Sequence, residues 1–339
     1  MVKSLSIGIL GAGFMGQTHG TRLINQEGVT VSAICDANPE AGKSLQQKLG
    51  GTAELFVEFD RMLKKAALDV LYVCIPPFAH LGQVEKAAKQ GIHIFIEKPV
   101  AINLERAESM VHAIDQAGVV SQVGYHNRFR KGLDEFHKLL ISGVSGRPTL
   151  FQGRYWCNML GGSWWRSKTG SNGQVFEQVI HIYDLAMYLL GEPVSVCAFM
   201  GNLSHQNIPD YTIEDTSAAI IRFKSGSIAS IVGSNNAMPQ NYIGDYRVVC
   251  EKAVLDYHAT GQEWVTPDTS TIYQYEGETF HRQDYLEDRD VYLEETLEFF
   301  AAIRGECMTR SPISVGLAGV RLVSAVLESA EKAGAPVTL

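Results

Sequence analysis

The chain has 339 residues, which is too long for one ordinary hydrophobic core and therefore predicts two domains. Its content of 45% hydrophobic and 19% charged residues is typical of a globular protein. The net charge of −8 argues against a nucleic-acid partner, because phosphate binding requires a concentrated basic surface.

The beginning of the chain and its cysteines predict a cytoplasmic protein. The first three residues lead directly into an apolar run, which leaves no room for a signal peptide. No run approaches the roughly 18 apolar residues of a membrane span, so we expect no membrane partner. The six cysteines are scattered without a C-x-x-C pair, which predicts reduced thiols and no metal site.

Up to residue 124, short apolar runs alternate with longer amphipathic ones, the pattern of a parallel sheet with crossover helices. The predicted strands are 6–10, 29–35, 70–74, 93–96 and 119–124. The predicted helices are 15–25, 39–48, 59–66, 81–90 and 104–117. We therefore predict an α/β Rossmann domain over residues 1–124.

A glycine-rich turn follows the first predicted strand. Gly11 suits the tight turn, Gly13 lets a pyrophosphate approach the backbone, and Gly16 lets the helix pack on the strand. Phe14 and Met15 begin the helix, whose N-terminus favours phosphate groups, so we expect them at the same site. A βα turn that binds nothing is the alternative, but the order of strand, glycines, helix, strand and acid favours a dinucleotide.

The acid in that order is Asp36, which ends the second strand at the distance where a carboxylate accepts hydrogen bonds from the adenosine ribose. A 2′-phosphate would meet its negative charge, so the sequence favours NAD as the cofactor. NADP stays possible.

Two further loops follow predicted strands, at the carboxyl edge where ligands bind in such sheets. Ile75, Pro76, Pro77 and His80 form the first, in which the prolines stop the strand. We expect these four residues to contact the cofactor; the alternative is a plain turn in which His80 caps a helix.

The second loop is Glu97-Lys98-Pro99. In a partly enclosed site, Lys98 can donate a hydrogen bond to a substrate oxygen and stabilise negative charge on it. A solvated lysine at a strand end is the alternative. The bond before Pro99 can be cis, which would fix the direction of the preceding side chain.

The motifs G-A-G-F-M-G, C-D, P-P-F-A-H, E-K-P and G-Y-H-N-R-F, in this order and spacing, resemble the Gfo/Idh/MocA oxidoreductase family over essentially the whole chain. The resemblance implies that Lys98 is the catalytic lysine beside the nicotinamide. It also implies that Glu97, Asn127 and Arg128 lie at the cofactor and Tyr125 at the substrate, in a cleft between the domains.

From residue 125 to 339 the pattern predicts an α+β domain for substrate binding and oligomerisation, with a large, open, mostly antiparallel sheet. It contains a predicted helix at 131–142, strands at 150–156, 217–223, 227–234, 246–251 and 253–258, and helices at 293–303 and 315–333. One face of an open sheet must be covered, so we expect an oligomer. The resemblance implies a homodimer or homotetramer through this sheet, with the last helix packing near the first domain.

One predicted helix carries Glu177, His181 and Asp184 at i, i+4 and i+7, on one face. A nearby carboxylate can orient an imidazole that accepts a hydroxyl proton. A core histidine is the alternative, but the resemblance implies that His181 and Lys98 are the catalytic pair. Many relatives have Asp in place of Glu177, so it stays open whether Glu177 forms its hydrogen bond with His181 or with substrate hydroxyls. We expect Asp184 to contact the substrate.

Aromatic residues and arginines precede this helix. Trp faces and Arg donors suit sugar rings, so Arg154 and Trp156 are candidate substrate contacts; core packing is the alternative for the aromatics. The pair Trp165-Arg166 matches one that reaches the nicotinamide end of the cofactor in some members of the family.

The resulting hypothesis is an NAD-dependent dehydrogenase or reductase that acts on a secondary alcohol or ketone of a sugar, inositol or related polyol. Two alternatives stay open. One is an NAD-dependent glycosidase that oxidises its substrate transiently, and the other is a dinucleotide-binding regulator without catalysis.

Overall fold

The computed structural model describes residues 4–158, 160–239, 242–260 and 267–339. The chain forms two compact units. The first comprises the residues up to His126 together with Asp290–Leu317, and the second comprises Asn127–Arg289 with Ala318–Leu339.

The strands in chain order are β1 (Leu5–Leu10), β2 (Val29–Cys35), β3 (Glu54–Phe56), β4 (Val70–Val73), β5 (His93–Ile96), β6 (Ser121–Val123), β7 (Pro148–Asn158), β8 (Pro193–Gly201), β9 (Thr216–Phe223), β10 (Ile228–Pro239), β11 (Tyr242–Cys250), β12 (Ala253–His258), β13 (Thr269–Glu276), β14 (Thr279–Leu286) and β15 (Val337–Thr338). The helices are α1 (Phe14–Leu23), α2 (Pro39–Lys48), α3 (Phe59–Lys65), α4 (Gln83–Ala88), α5 (Leu104–Ala117), α6 (Lys131–Ile141), α7 (Lys168–Ser171), α8 (Ile180–Leu190), α9 (Val291–Ile303) and α10 (Ile313–Glu331).

The first unit is built on a parallel sheet of six strands in the order β3-β2-β1-β4-β5-β6. The order reverses between β1 and β4, so the loops after these two strands open at the same edge. The predicted Rossmann domain is confirmed, and each of its predicted strands and helices is present. Strand β3 was not predicted, because its three residues are too few to show a period.

Local sequence explains several element ends in this unit. The Asn38 side chain accepts a hydrogen bond from the Glu40 amide at the start of α2, and the Asn103 side chain accepts one from the Arg106 amide at the start of α5. The strand β4 is apolar and entirely buried, as expected for a sheet covered on both faces. Helix α9, from the C-terminal part of the chain, packs against α1 within this unit.

The second unit is built on a sheet of nine strands in the order β14-β13-β12-β11-β7-β10-β9-β8-β15. Only the pair β7 and β10 is parallel, so the predicted large, mostly antiparallel sheet is confirmed among the described residues. Residues 224–226 form the turn that joins β9 to β10, and Gly226 there has a positive φ of 88°. Helix α8 is buried along almost its whole length and contacts β7.

Helix α10 is the one helix in the described parts of the chain with the length and hydropathy of a membrane span, and half of that apolar window is buried in the structure. Buried core helices commonly have this composition. Arg321 and Glu328 interrupt its apolar residues, so the helix contains no unbroken apolar run of membrane-spanning length. All six cysteines lie in the described ranges and are free thiols: Cys35, Cys74, Cys157, Cys197, Cys250 and Cys307.

Candidate functional site

The glycine turn of the first unit leaves open space where a pyrophosphate would lie. Gly11 has a φ of 98°, and a Cβ atom there would lie 2.5 Å from the Cys74 carbonyl oxygen, so only glycine fits. A Cβ atom on Gly13 would meet no heavy atom within 4 Å. Gly13 also precedes α1 without a capping side chain, so the first amides of α1 are available to an anion. Gly16 packs on the turn, since a Cβ atom there would lie 2.0 Å from the Gly11 carbonyl oxygen.

The residues around this turn fit a dinucleotide. Phe14 is exposed and Met15 is half-buried at the start of α1, which carries no acidic residue in its first turn. Asp36 follows β2, and its Oδ2 atom accepts a hydrogen bond of 2.7 Å from the Ala12 amide. Its Oδ1 atom accepts one of 2.8 Å from the Asn38 amide. These two bonds fix the carboxylate beside the turn, and each oxygen keeps a further lone pair for a hydroxyl group.

The loop after β4 forms a short 3₁₀ helix, Pro77–Ala79, preceded by the half-buried Ile75 and Pro76. His80 ends this helix and is buried, with Nε2 3.2 Å from the Ile75 carbonyl oxygen. Burial lowers the pKa of His80 to about 4. The neutral imidazole therefore holds the loop in shape from inside and does not begin α4, which starts at Gln83.

The Glu97-Lys98-Pro99 segment follows β5, and the bond before Pro99 is cis. Lys98 is half-buried, whereas Glu97 is buried. Glu97 Oε1 lies 2.7 Å from Nε2 of His19 on α1, and Glu97 Oε2 accepts a hydrogen bond from the Lys98 amide. The Glu97 carboxylate is therefore held by its own unit, and Lys98 follows β5 at the sheet edge that also carries Gly11 and Asp36.

In the second unit, the segment of Glu177 and His181 does not begin as an α-helix. Residues Val175–Val179 form a π-helical turn, and α8 continues from Ile180. His181 is buried on α8, and Glu177 is half-buried in the π turn. The wider turn changes the angular relation between positions i and i+4 from that of an α-helix.

Glu177 accepts a hydrogen bond of 2.8 Å from the Trp165 indole nitrogen. Trp165 is buried in a small apolar cluster with Tyr211 and Ile213. Arg166 is half-buried, and its Nε atom is buried without a hydrogen-bond partner. The predicted Trp-Arg pair therefore adjoins the helix of His181 through Glu177.

Asp184 is held by an arginine within the second unit. Arg128 donates from Nε to Oδ2 over 2.8 Å and from Nη2 to Oδ1 over 2.6 Å. Burial raises the pKa of the Asp184 carboxyl, and the Arg128 charge opposes that shift. Both Arg128 and Asp184 are thus engaged with each other, next to the half-buried Asn127. Tyr125 is buried in the first unit, after β6.

Arg154 and Trp156 lie on the sheet face opposite the one that α8 covers. In β7, the alternate residues Gly153 and Cys157 face the π turn and α8: Cys157 donates a hydrogen bond to Gln178 in the π turn, and a Cβ atom on Gly153 would meet Ile182 on α8. Arg154 and Trp156 point the other way, stacked on each other at 4.1 Å. Arg154 also forms an ion pair with Asp245 on β11. Strand parity therefore places Arg154 and Trp156, which were predicted as substrate contacts, on the face of β7 away from Gly153 and Cys157.

Several buried acids and histidines were not predicted, and three of them adjoin residues of the candidate site. His19 and Glu295 accompany Glu97 in the first unit. In the second unit, Glu214 accepts a hydrogen bond of 2.7 Å from the Val175 amide at the start of the π turn, and burial raises its pKa to about 7. Two of these residues could have been noticed in the sequence: His19 lies three residues beyond Gly16, and Glu295 is an acid within the apolar residues of α9.

Comparisons with known proteins follow the same two parts of the chain. Residues 5–125 match the family model described as "Oxidoreductase family, NAD-binding Rossmann fold", and residues 134–256 match the GFO/IDH/MocA C-terminal domain. The inositol 2-dehydrogenase of Rhizobium meliloti (strain 1021) is 26% identical over 345 residues, covering 97% of this chain and 98% of that protein.

Two further relatives differ in their activities. A 2,7-anhydro-N-acetylneuraminate hydratase of Escherichia coli (strain K12) is 29% identical over 245 residues, which is 70% of this chain; the chain spans 64% of the length of that hydratase. A levoglucosan dehydrogenase solved with NADH and L-sorbose has the same fold, with a TM-score of 0.88 at 19% identity over 99% of both chains. Because two domain models of one family match both halves of the chain, the protein belongs to the Gfo/Idh/MocA family of oxidoreductases, with an NAD-binding Rossmann domain.

Proposed function

We propose that the protein is an NAD-dependent dehydrogenase that acts on a secondary alcohol or ketone of a sugar, inositol or related polyol. The observation that carries the proposal is the position of Lys98, at the same sheet edge as the open glycine turn and Asp36. The names of the relatives support the substrate class, because inositol 2-dehydrogenase and levoglucosan dehydrogenase act on hydroxylated rings.

In this proposal, residues 1–124 bind the dinucleotide. The Gly13 turn and the amides of α1 bind the pyrophosphate, and Asp36 accepts hydrogen bonds from the ribose. The other proposed cofactor residues of the first domain belong to the loops that follow its strands: Gly11, Phe14, Met15, Gly16, Ile75, Pro76, Pro77 and Lys98. The second domain contributes Asn127, Trp165 and Arg166. His80 and Glu97 act behind them, by holding the loop after β4 and the backbone of Lys98.

When bound, the nicotinamide supplies or accepts the hydride of the reaction. In the oxidising direction, His181 accepts the proton of the substrate hydroxyl. Lys98 donates a hydrogen bond to the same oxygen and stabilises the negative charge that develops there. Tyr125 and Glu177 contact the neighbouring hydroxyls, whereas Asp184 keeps the helix of His181 in place through Arg128.

We further propose that residues 125–339 form the substrate and oligomerisation domain. Phe199 and Ile220 are exposed apolar side chains on the sheet face that also carries Arg154 and Trp156. An apolar face of this kind is typically covered by a second subunit. We assign Arg154 and Trp156 to that subunit contact, in a homodimer or homotetramer of the cytoplasm.

The test is absorbance of the reduced nicotinamide while the protein meets sugars, inositols and sugar acids with NAD or NADP. We expect net reduction of NAD by one of these groups, and loss of turnover by several orders of magnitude in Lys98→Ala and His181→Ala with dinucleotide binding retained. Turnover retained in either variant contradicts the residue assignment. Product formation without net reduction would instead indicate a reaction that recycles the cofactor, as in the glycosidase alternative.

A further inference from the structure

Three titratable side chains meet in the interior of the first unit, behind Lys98. His19 comes from α1, Glu97 from the end of β5 and Glu295 from α9, and all three are buried. One nitrogen or oxygen atom from each lies within 4.8 Å of the other two. The proposed reaction uses none of these side chains directly, although burial of three such groups is costly.

The carboxylate of Glu97 is in close contact with three other residues. Its Oε1 atom lies 2.7 Å from His19 Nε2, and its Oε2 atom accepts a hydrogen bond of 3.2 Å from the Lys98 amide. On the third side lies Gly124, where a Cβ atom would come within 2.7 Å of Oε1. These three contacts restrict the carboxylate, and the Lys98 amide donates to it in this restricted position.

We propose that His19 is a positioning residue for Lys98, acting through the Glu97 carboxylate. The inference rests on the proposed catalytic role of Lys98. His19 lies on α1, whose first amides bind the pyrophosphate in the proposed function. The hydrogen bond between His19 and Glu97 therefore connects α1 to the end of β5, which Lys98 follows. The bond thus sets the distance between two binding elements of the same unit.

A bound metal ion is a poorer account of the cluster. Two ligand atoms on one ion at about 2.1 Å each are separated by about 3 Å or more, whereas His19 Nε2 and Glu97 Oε1 are at hydrogen-bonding distance, 2.7 Å. The two oxygens of Glu295 are buried without a hydrogen-bond partner. Burial and the nearby Glu97 raise the pKa of Glu295 well above its usual range, which favours the uncharged form of this carboxyl over one that would attract a cation.

Apolar and aromatic groups keep water from the bond. The ring of His19 contacts Phe95 at 4.8 Å and Tyr72 at 5.4 Å between centroids. A hydrogen bond in such surroundings is stronger than one in water, and the loss of one partner leaves the other buried and unsatisfied. Removal of His19 should therefore release the Glu97 carboxylate and the Lys98 amide.

The experiment compares His19→Leu with His19→Gln. The glutamine amide nitrogen can occupy the place of the imidazole Nε2 and donate to Glu97, whereas leucine cannot. Leu23→Ala serves as the matched control, because Leu23 is buried on the same helix and apolar. The first readout is hydrogen–deuterium exchange of the Lys98 amide in the protein without cofactor, and the second is kcat and KM for the sugar or inositol that gives turnover.

We expect faster exchange at Lys98 and a fall in kcat of about 10- to 100-fold in His19→Leu, with little change in KM. His19→Gln should restore both, and Leu23→Ala should lower the melting temperature without changing kcat. Exchange and kcat in His19→Leu equal to those of Leu23→Ala would overturn the inference, as would stoichiometric metal in the purified protein. Lys98→Ala, measured in parallel, separates the two ideas: if it keeps full turnover the proposed function fails, while the exchange result still decides the role of His19.

Discussion

Arg128 and Asp184 form a two-point ion pair inside the second unit, and the Arg128 guanidinium also lies 4.5 Å over the ring of Tyr188. The pair joins the segment that begins this unit to the helix of His181. A buried pair of this kind contributes little by its own charge attraction, but breaking it leaves one charge uncompensated.

Asp184→Leu is therefore expected to destabilise the protein by about 3 to 5 kcal/mol, because the Arg128 charge stays buried without its partner. Urea denaturation measures the change. The double variant Arg128→Met with Asp184→Leu should be more stable than Asp184→Leu alone. A double variant no better than the single one would show that packing, and not charge, dominates at this site.

Glu214 should make stability depend on pH between about 4.5 and 7. Its pKa is raised from 4.5 to about 7 by burial, so the folded protein binds a proton that the unfolded chain has already released. The stabilisation is complete below pH 4.5 and declines as pH rises through 7, by about 3 kcal/mol in total. Glu214→Gln keeps an acceptor for the Val175 amide and should remove this dependence. Unfolding measured from pH 5 to 8.5 in both proteins tests it, and identical pH profiles would contradict the assignment.

His80 should make the stability of the protein depend on pH in the opposite direction from Glu214. Burial lowers its pKa from 6.5 to about 4, so the unfolded chain binds the proton first. The stabilisation is complete above pH 6.5 and declines as pH falls towards 4, by about 3 kcal/mol. His80→Gln should flatten stability in this range, whereas the same change at the exposed His112 should leave the profile as it is.

Asp36 should decide between the two dinucleotides. In Asp36→Ser the hydrogen bond that a ribose hydroxyl donates to the charged carboxylate is lost, so we expect NAD affinity to fall about 10- to 100-fold. NADP affinity should fall less or rise, because the negative charge is gone. Fluorescence titration of NADH and NADPH measures both. Asp115→Ser, on an exposed face of α5, is the control, and an unchanged preference in Asp36→Ser would remove Asp36 from the ribose site.

Ile220→Glu should weaken the proposed contact between subunits. Ile220 is half exposed on the outer face of the second sheet, so a glutamate there costs little in the monomer but places a charge inside an interface. Light scattering after size-exclusion chromatography should show a smaller species. Arg222→Glu, a polar change on the same strand face, serves as the comparison. Wild-type size in Ile220→Glu would mean that this part of the face is not the contact.

The sequence was most informative where one local segment determines the geometry. The Gly11 turn, Asp36 after β2 and Lys98 after β5 are each placed by the end of a single strand, so their common edge followed from the order of the elements. The nine-stranded sheet could be predicted as a class but not in its strand order, since pairing such as β7 with β10 depends on register between distant segments.

The hydrogen-bonding and ion-pair partners of the site residues were the least predictable part of the structure. Asp184 was expected near substrate or His181, but Arg128, 56 positions earlier, holds it. Arg154 and Trp156 were expected at the substrate, and only the parity of β7 places them on the outer face. The bond between His19 and Glu97 spans 78 positions. Each depends on a tertiary contact that local periodicity does not contain.

The π turn Val175–Val179 has a consequence for how relatives should be aligned with this chain. It contains one residue more than an α-helical turn of the same height, and removal of that residue would rotate the preceding backbone by about 100° and shift it by about 1.5 Å relative to His181. Glu177 would then leave the Trp165 indole. A homologue with a one-residue gap at this turn should therefore present a different side chain to its histidine, and its acid should not be equated with Glu177 by position alone.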